Sequence, residues 1–411
     1  MKTLLCDLTD EQINRFELRA RYDAIVGADD VARAHVCTGC FGCWTRTPGT
    51  CIVRDRLGDV GALLGATDEL HIASRCTFGG WSAQVKRILD RSLGYLDPRF
   101  QVKSGELHHL LRYDSMVERV WFYGPSSEQE RATARELAAA NSMNRGSTLA
   151  SVRFLARPED IGSLTTADAV SAPTPACANP VSVLPHRIAL VNASPRGGRA
   201  TTKLILDDFS EALQAYERLD ANPYASIPQL AFFTWNRPNA FDPRDLSAFG
   251  TIVLGYPLYY DSLPSHAIEL LDNLIASRAP SSNTRLYAVA NMGFYEPSQI
   301  APSFHLLENF CARAGIQWHG GLAVGGGGMV SAVADTPRMG IMRRHLSETT
   351  DKLILAVRCG TDAGTIESRC PIPRFAYKLA AEAQWRTKAK RNGVRDLGFQ
   401  VAYQDQYSTA R

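Results

Sequence analysis

The sequence lacks a strong excess of charge of either sign. Its 45 lysines and arginines nearly balance 42 aspartates and glutamates, which leaves a formal net charge of +3 at pH 7. A chain so close to neutral has no general electrostatic attraction to nucleic acid or to an anionic membrane. No apolar run approaches the roughly 20 residues that a membrane-spanning helix needs. We therefore expect neither nucleic acid nor a membrane among its partners.

We also expect no secretory leader. The first residues, MKTLLCDLTDEQ, turn acidic after a very short apolar stretch, whereas a leader carries an apolar stretch of about 7–15 residues. The ten cysteines would suit a disulfide scaffold only in a short secreted chain, and this chain has 411 residues. These features predict a cytoplasmic protein that is long enough for two domains.

Four of the cysteines fall within one short stretch: Cys37, Cys40, Cys43 and Cys51. The first three have C-x2-C-x2-C spacing, and the glycines between them let the backbone fold tightly. Thiolates this close can converge on one centre. A 4Fe-4S cluster suits three thiolates in one tight loop, whereas a lone zinc ion more often uses two separated pairs. A structural cysteine loop packed around Trp44, without metal, stays open as an alternative.

Strands and helices alternate twice along the chain. The hydrophobic pattern of the first half predicts strands at 2–8, 23–28, 69–73, 117–123 and 149–155, with helices at 60–65, 81–93 and 126–143. The second half has predicted strands at 188–191, 230–233, 250–255, 285–290 and 316–324, with helices at 201–216, 265–276 and 302–314. This alternation predicts an α/β protein with two doubly wound parallel five-stranded sheets in tandem.

Composition divides the chain into four parts. Residues 1–157 and 186–335 form the two α/β domains, and 158–185 form a linker whose prolines stand among alanine, serine and threonine. Residues 336–411 are expected to form a C-terminal helical extension, which carries a basic tail.

The second domain opens with RIALVNASPRGGRATT, a short apolar strand, a tight turn and the start of a helix. Such a turn makes an anion pocket, because unpaired N–H groups and the positive end of the helix dipole point at one spot. An ordinary strand-to-helix turn is the alternative if the loop is considered alone. The candidate phosphate-binding residues are Ser194, Arg196, Gly198, Thr201 and Thr202.

Two further loops of the second domain are rich in aromatic residues. Both follow predicted strands, so their residues are expected at the same edge of the sheet as the phosphate loop. Their aromatic rings can flank a flat heterocycle, which together with a phosphate pocket indicates flavin mononucleotide (FMN). The candidate residues are Pro257, Leu258, Tyr259, Tyr260, Ser262, Leu263, Asn291, Met292, Gly293, Phe294 and Tyr295.

The second half resembles the flavodoxin-like NAD(P)H-dependent FMN reductase family in its SPR loop, its PLYY segment and its NMGF segment. The first half resembles the same family in CTGCFGCWTRTPGTCIVRD and FGGWSAQVKRILDR, and its cysteine pattern is similar to that of the iron-sulfur flavoproteins. The resemblance implies a tandem duplication. Residues 5–9 of the first half have no glycine-rich turn and no arginine, so we expect one FMN per chain.

The resemblance implies an FMN-dependent oxidoreductase that uses NAD(P)H, or a ferredoxin-type protein through a cluster, to reduce a quinone or nitro compound. Tyr259, Tyr260 and Tyr295 are the candidates for stacking and for orienting the small-molecule substrate. An electron carrier without substrate turnover is the alternative. The two halves are expected to pair as a pseudo-dimer within one chain, with further homo-oligomers left open. Arg75, Trp81 or His108 of the first half are hypothesised to cover the flavin.

Overall fold

The computed structural model describes residues 1–161, 187–219, 228–404 and 406–409. These residues form two compact units, one of residues 1–161 and 378–409 and the other of residues 187–377. From residue 162 onward, the predicted linker lies outside the described residues. The expected C-terminal extension is divided between the units, since 336–377 group with the second and 378–409 with the first.

The first unit contains a parallel sheet of five strands and a separate antiparallel hairpin. Its strands are β1 (Lys2–Cys6), β2 (Ala24–Val26), β3 (Glu69–Arg75), β4 (Leu96–Lys103), β5 (Glu106–Leu111), β6 (Val117–Tyr123) and β7 (Thr148–Leu155). The parallel sheet has the order β2-β1-β3-β6-β7, and β4 pairs with β5. Without the hairpin, this is the 2-1-3-4-5 order of flavodoxin-like sheets.

The helices of the first unit are α1 (Asp10–Arg15), α2 (Ala28–Ala32), α3 (Gly42–Thr45), α4 (Val60–Gly65), α5 (Ala83–Arg91) and α6 (Glu128–Arg145). Helix α6 shows how the sequence sets their ends. Ser127 and Glu130 form a reciprocal capping box at its start, and Gly146, at φ 67°, ends it in the left-handed region. One core cluster joins α1 to the sheet through Leu4 and Ile13.

The second unit contains a parallel sheet of six strands: β8 (Arg187–Asn192), β9 (Gln229–Thr234), β10 (Thr251–Pro257), β11 (Arg285–Asn291), β12 (Gln317–Val324) and β13 (Thr365–Ser368). The order β13-β12-β11-β10-β8-β9 repeats the flavodoxin-like order and adds one strand. The prediction of two flavodoxin-like sheets in tandem is confirmed. The count of five strands is wrong for this sheet, because β13 pairs with β12.

The helices of the second unit are α7 (Thr201–Leu219), α8 (Ser265–Ser277), α9 (Ala301–Ala314), α10 (Gly327–Ala332) and α11 (Arg344–Cys359). Helix α12 (Arg374–Arg391) begins in the second unit and ends in the first. Helices α7 and α11 share one core cluster, and Arg358 of α11 pairs with Glu217 of α7 at 2.7 Å. Among the helices that the structure describes, none combines the length and apolar character that a membrane span requires.

A buried histidine makes the stability of the first unit depend on pH. His71 is 4% exposed, and its Nε2 and Nδ1 lie 2.8 Å from Glu69 Oε1 and the Tyr22 hydroxyl. Burial lowers the pKa of His71 from 6.5 to about 4. The ring is therefore neutral at pH 7, where Nε2–H donates to Glu69 and Nδ1 accepts from Tyr22.

Below pH 6.5 the histidine is protonated in the unfolded chain, whereas folded His71 stays neutral until the pH approaches its pKa near 4. Acidification over this range therefore destabilises the fold. We expect the free energy of unfolding of the first unit to fall by about 1.5 kcal/mol between pH 6.5 and 5 through this group. Urea unfolding at both pH values measures the effect. The His71→Gln variant should show a correspondingly smaller pH dependence, and an unchanged pH dependence would refute the assignment.

Candidate functional site

Three loops leave the carboxyl ends of neighbouring strands in the second unit. Strand β10 lies between β8 and β11, so the loops that follow these three strands open on one edge of the sheet. The chain reverses the direction of strand order between β8 and β10. Doubly wound sheets bind ligands at this kind of switch point. All the predicted cofactor-binding residues of the chain lie on the three loops or beside them.

The loop after β8 is shaped by the buried side chain of Asn192. Its Nδ2–H donates to Gly197 O at 3.0 Å, and its Oδ1 accepts from the Ser194 N–H at 3.2 Å. Gly197 has φ +55°, which favours glycine. Arg196 and Gly198 stay exposed, and a Cβ built on Gly198 would meet no heavy atom of the described residues within 4 Å. The loop therefore presents a cation beside open space.

Helix α7 follows this loop directly. The first bonds inside the helix run from the N–H groups of Lys203 and Leu204 to Ala200 O, at 3.0 and 3.3 Å. The N–H groups of Thr201 and Thr202 come before these and have no acceptor within the helix. A 19-residue helix adds a positive dipole end at the same place. The arrangement suits an anion such as a phosphate.

The hydroxyls of the two threonines are used inside the protein. Thr202 Oγ1 donates to Asn291 Oδ1 at 2.6 Å, and Thr201 Oγ1 shares a hydrogen bond with Ser331 Oγ at 2.7 Å. These bonds tie the start of α7 to the end of β11 and to α10. The backbone N–H groups, more than the hydroxyls, are thus what these residues can offer a phosphate.

The loop after β10 contains a tight turn from Tyr259 to Ser262. The Tyr259 N–H donates to Ser262 O at 2.9 Å, and the Ser262 N–H donates to Tyr259 O at 3.1 Å. Tyr260 and Asp261 have φ of 45° and 54°, which bulky residues seldom adopt and which recurs at ligand sites. The Ser262 hydroxyl is buried and has no hydrogen-bond partner among the described residues. It is available to a ligand.

The loop after β11 is held by its carbonyl oxygens. Three successive ones accept hydrogen bonds, Met292 from the Gly327 N–H (2.7 Å), Gly293 from the Tyr377 hydroxyl (2.6 Å) and Phe294 from the Gly326 N–H (2.6 Å). Gly293 is exposed, and in the part of the chain that the structure describes, no atom lies within 4 Å of a Cβ built there. The loop is fixed in shape while its glycine leaves room for a flat group to approach the backbone.

Tyr295 is tied to the segment before α12. Its hydroxyl donates to Ile372 O at 2.9 Å, its ring lies 5.8 Å from the Tyr377 ring, and the Arg374 guanidinium lies 5.8 Å from its centroid. Burial raises the pKa of Tyr295, so its hydroxyl keeps its proton at neutral pH. In this structure Tyr295 is a fixed part of the loop wall.

The predicted residues differ in how far they are exposed. The exposed ones are Arg196, Gly198 and Gly293, and the half-buried ones are Thr201, Pro257, Leu258, Tyr259, Tyr260, Phe294 and Tyr295. The buried ones are Ser194, Thr202, Ser262, Leu263, Asn291 and Met292. The half-buried set contains the four aromatic residues Tyr259, Tyr260, Phe294 and Tyr295, so none of them is fully covered by the protein.

The corresponding edge of the first unit is closed to anions by its own oxygens. The N–H groups at the start of α1 already donate to side chains, Asp10 to Asp29 Oδ2 at 2.5 Å and Gln12 to Thr9 Oγ1 at 3.3 Å. Asp7 follows β1 and accepts from the Tyr123 hydroxyl at 2.7 Å. A carboxylate here repels a phosphate. These contacts give a physical reason why the first unit lacks a phosphate pocket.

One loop of the first unit nevertheless has the same kind of tight turn as the loop after β10 in the second unit. Thr77 and Gly80 exchange backbone bonds of 2.9 Å, as Tyr259 and Ser262 do, and the residues between them also have positive φ. Trp81 is fully buried and donates to Asn141, and His108 is 3% exposed and bonded to Asn144. The hypothesis that either of these two side chains covers a flavin is wrong, because both are packed inside the first unit.

The four clustered cysteines line one recess of the first unit. Cys37, Cys40, Cys43 and Cys51 line it together with apolar side chains, Asp90 and Arg91, and it is partly open to solvent. The Gly42 N–H points to Cys40 Sγ at 3.4 Å. Cys40 is exposed, and the other three are half-buried. The four thiols thus line one recess, and their convergence on a single metal centre stays a prediction.

Arg91 organises the backbone around the recess. Its buried guanidinium makes two bonds to Asp55, of 2.7 and 2.9 Å, and donates to the carbonyl oxygens of His35 and Val53. Trp44 adds a bond from its Nε1–H to Leu93 O at 3.1 Å. Arg91 is thus hydrogen-bonded both to the segment before Cys37 and to the segment after Cys51.

Burial raises the pKa of Cys37 to about 12 and the pKa of Cys43 well above its usual range, and at Cys43 the other three thiols add to the shift. The free thiols of Cys37 and Cys43 would therefore be protonated, and metal binding to these two would release protons. The part of the chain that the structure describes holds no group of three or more His, Cys, Asp or Glu side chains that could hold a metal ion. In a cluster, by contrast, each thiolate binds a different iron.

No family model and no curated protein matches the chain. Among solved structures it is similar to the Trp repressor binding protein from Bacillus subtilis, with 13% identity over 33% of this chain and 82% of that one, at a TM-score of 0.25. An FMN-dependent NADH-azoreductase from Bacillus anthracis str. Ames Ancestor, in complex with FMN, has 14% identity over 41% and 99%, at 0.29. An NAD(P)H:quinone oxidoreductase from Methanothermobacter marburgensis has 9% identity over 51% and 96%, at 0.22. Similarities this weak carry no argument, so the fold is assigned here from the strand order alone.

Sequence reasoning missed the residues beyond β13 that support the site. Tyr377 is buried, and its hydroxyl holds Gly293 O, while Ile372 and Arg374 hold Tyr295 and its neighbour Glu296. These residues lie within the expected helical extension, far along the chain from the loops. Only the aromatic residues of the segment RFAYK could have pointed to them.

Proposed function

We propose that the chain is an FMN-dependent oxidoreductase that transfers electrons from NAD(P)H to a small acceptor such as a quinone or a nitro compound. The observation that supports this most is the meeting of three loops at the switch point of the second sheet. One loop presents Arg196 and two helix N–H groups, and the other two present half-buried aromatic rings. The first loop would fit the phosphate of FMN, and the two aromatic loops would fit its ring system.

The residues present fit the cofactor in three respects. Gly198 and Gly293 both face open space where a side chain would stand, and the buried Ser262 hydroxyl has no partner among the described residues. Arg196 and the N–H groups of Thr201 and Thr202 would hold the phosphate. Tyr259 and Tyr260 would flank the ring system and orient the substrate. When bound, FMN supplies hydride and electron transfer.

Tyr377 and Tyr295 would fix the shape of the site and would not take part in proton transfer. Tyr377 fixes the Gly293 carbonyl, and Tyr295 keeps its proton because burial raises its pKa. The Tyr295 hydroxyl donates a hydrogen bond to Ile372 O, so Tyr295 would orient the loop wall and leave proton transfer to solvent or to the substrate. No acid–base pair of the protein is required.

For the cysteine recess we propose a 4Fe-4S cluster held by Cys37, Cys40, Cys43 and Cys51. Support comes from the donor set, since four thiols line one recess, where the Gly42 N–H also donates to Cys40 Sγ. A bound cluster would supply one-electron steps and would let a ferredoxin-type protein serve as the donor.

Steady-state kinetics distinguish an oxidoreductase from an electron carrier. We expect the FMN-loaded chain to oxidise NADH or NADPH over many turnovers with 1,4-benzoquinone under anaerobic conditions, followed at 340 nm. Each turnover moves two electrons and a proton from NAD(P)H, and a further proton from solvent, to give the hydroquinone. A single stoichiometric reduction without turnover would instead indicate a flavodoxin-like carrier or a flavin-binding module.

A further inference from the structure

The C-terminal residues 378–409 contact the turn that carries Cys40 and Cys43. Trp385, on the second half of α12, lies 5.1 Å from the Phe41 ring and 5.2 Å from the Trp44 ring, measured between centroids. Phe41 and Trp44 are themselves stacked at 5.1 Å. Since Phe41 lines the cysteine recess, Trp385 packs directly behind its wall.

The backbone of this turn needs such support. Phe41 has φ 56°, a left-handed conformation that is strained for a bulky residue, and Gly39 has φ 61°. Strained residues persist where their surroundings fix them. Two tryptophan rings pack against Phe41. Trp44 lies in the turn itself, and Trp385 lies far along the chain on α12.

A second contact reaches the segment between Cys43 and Cys51. A Cβ built on Gly49 would lie 3.0 Å from Val401 Cγ2 and 3.0 Å from the Tyr113 hydroxyl, so both already touch the glycine. The Val401 N–H donates to that hydroxyl at 3.1 Å. Arg112 holds the chain just before this point by donating to Leu397 O and Phe399 O at 2.6 and 2.8 Å.

We propose that Trp385 and Val401 are positioning residues for the cysteine recess: the C-terminal segment holds the Phe41 turn and the Gly49 loop in the shape that brings the four thiols together. Only the identity of the occupant rests on the proposed function. The contacts of Trp385 and Val401 belong to the protein itself, whatever the thiols bind.

The metal-free protein tests this without any cofactor. We expect Trp385→Ala to raise the iodoacetamide alkylation rates of Cys37 and Cys43 about tenfold, because the turn opens more often. Mass spectrometry of the peptides follows each thiol. Trp385→Phe, which keeps a ring, should restore most of the protection. Phe375→Ala is the control, since Phe375 is 70% exposed on the same helix.

The loaded protein gives the second measurement. After anaerobic reconstitution, Trp385→Ala should hold less than half of the iron and sulfide of the wild type and lose them faster to EDTA, and Trp385→Phe should match the wild type. Val401→Ala, a milder change, should raise the same alkylation rates about threefold. It keeps the proposal testable if Trp385→Ala does not fold. FMN binding should be unchanged in every folded variant.

Equal alkylation rates in the wild type and both alanine variants would overturn the proposal. So would a Trp385→Phe variant as reactive as Trp385→Ala, because a general loss of stability would then explain both. If the wild type takes up no iron, the proposed cluster fails, and the alkylation rates still decide whether Trp385 and Val401 position the thiols.

Discussion

Replacing Arg196 by alanine should weaken FMN binding about 10- to 100-fold. A guanidinium that donates to phosphate oxygens contributes about 1.5–3 kcal/mol, and each 1.4 kcal/mol is a factor of ten in affinity. Arg196 is exposed and makes no contact that the fold depends on among those described, so the variant should unfold no more easily than the wild type. Quenching of flavin fluorescence on titration with apoprotein measures the Kd.

Two comparisons make this result specific. Arg199→Ala removes an equally exposed cation three residues further on, and it should change the Kd less than twofold. Riboflavin has no phosphate, so it should bind to Arg196→Ala and to the wild type with the same affinity. A variant that binds FMN as tightly as the wild type, or loses riboflavin to the same extent, would show that Arg196 does not hold a phosphate.

Replacing Cys43 by serine should remove the iron of the anaerobically prepared protein, from about four atoms per chain to almost none. Cys43 is half-buried, and the other three cysteines of the recess all contribute to the raised pKa of its thiol. A serine hydroxyl is a poor iron ligand, and a cluster without its fourth thiolate is exposed to loss. Iron and sulfide assays on the same sample, together with the visible spectrum, measure the change.

Cys359→Ser is the matched control, because Cys359 is exposed on α11 of the second unit and lies outside the recess. It should keep the full iron content. The FMN content should be unchanged in both variants. If Cys43→Ser keeps its iron, or the wild type contains none under anaerobic conditions, the thiols form a structural loop and the cluster is rejected.

The sequence was most informative where a local pattern decides the structure. The strand Val117–Tyr123 and the helix Val60–Gly65 have the predicted bounds, because their apolar residues follow one period between clear turns. The three site loops could be predicted for a related reason. Each follows a strongly apolar strand, and parallel strands bring their carboxyl ends to one edge.

The hairpin of β4 and β5 was missed although it carried a local signal. Ser104 and Gly105 have φ of 54° and 86°, as a tight hairpin turn requires, and Ser-Gly is a recognised turn pair. Its strands contain histidines and charged residues, which obscured the alternation. Strand β13 gave no such signal, because it has four residues and forms only by pairing with β12.

Other features depend on contacts between residues far apart in the sequence. Asp29 closes the start of α1 from 19 residues away, and Tyr377 reaches Gly293 from 84 residues away. The Thr202 hydroxyl, at the start of helix α7, donates to Asn291 of strand β11, 89 residues later. No periodicity or motif within a short window can predict which distant side chain satisfies a given backbone group.

The number of FMN molecules per chain tests the central claim most directly. The second unit has an open helix N-terminus beside Arg196, and the N-terminus of α1 in the first unit is occupied by the oxygens of Thr9 and Asp29. Titration of the apoprotein with FMN, followed by fluorescence and checked by flavin released on denaturation, should reach saturation at one FMN per chain. Saturation at two, or no binding at all, would contradict the account.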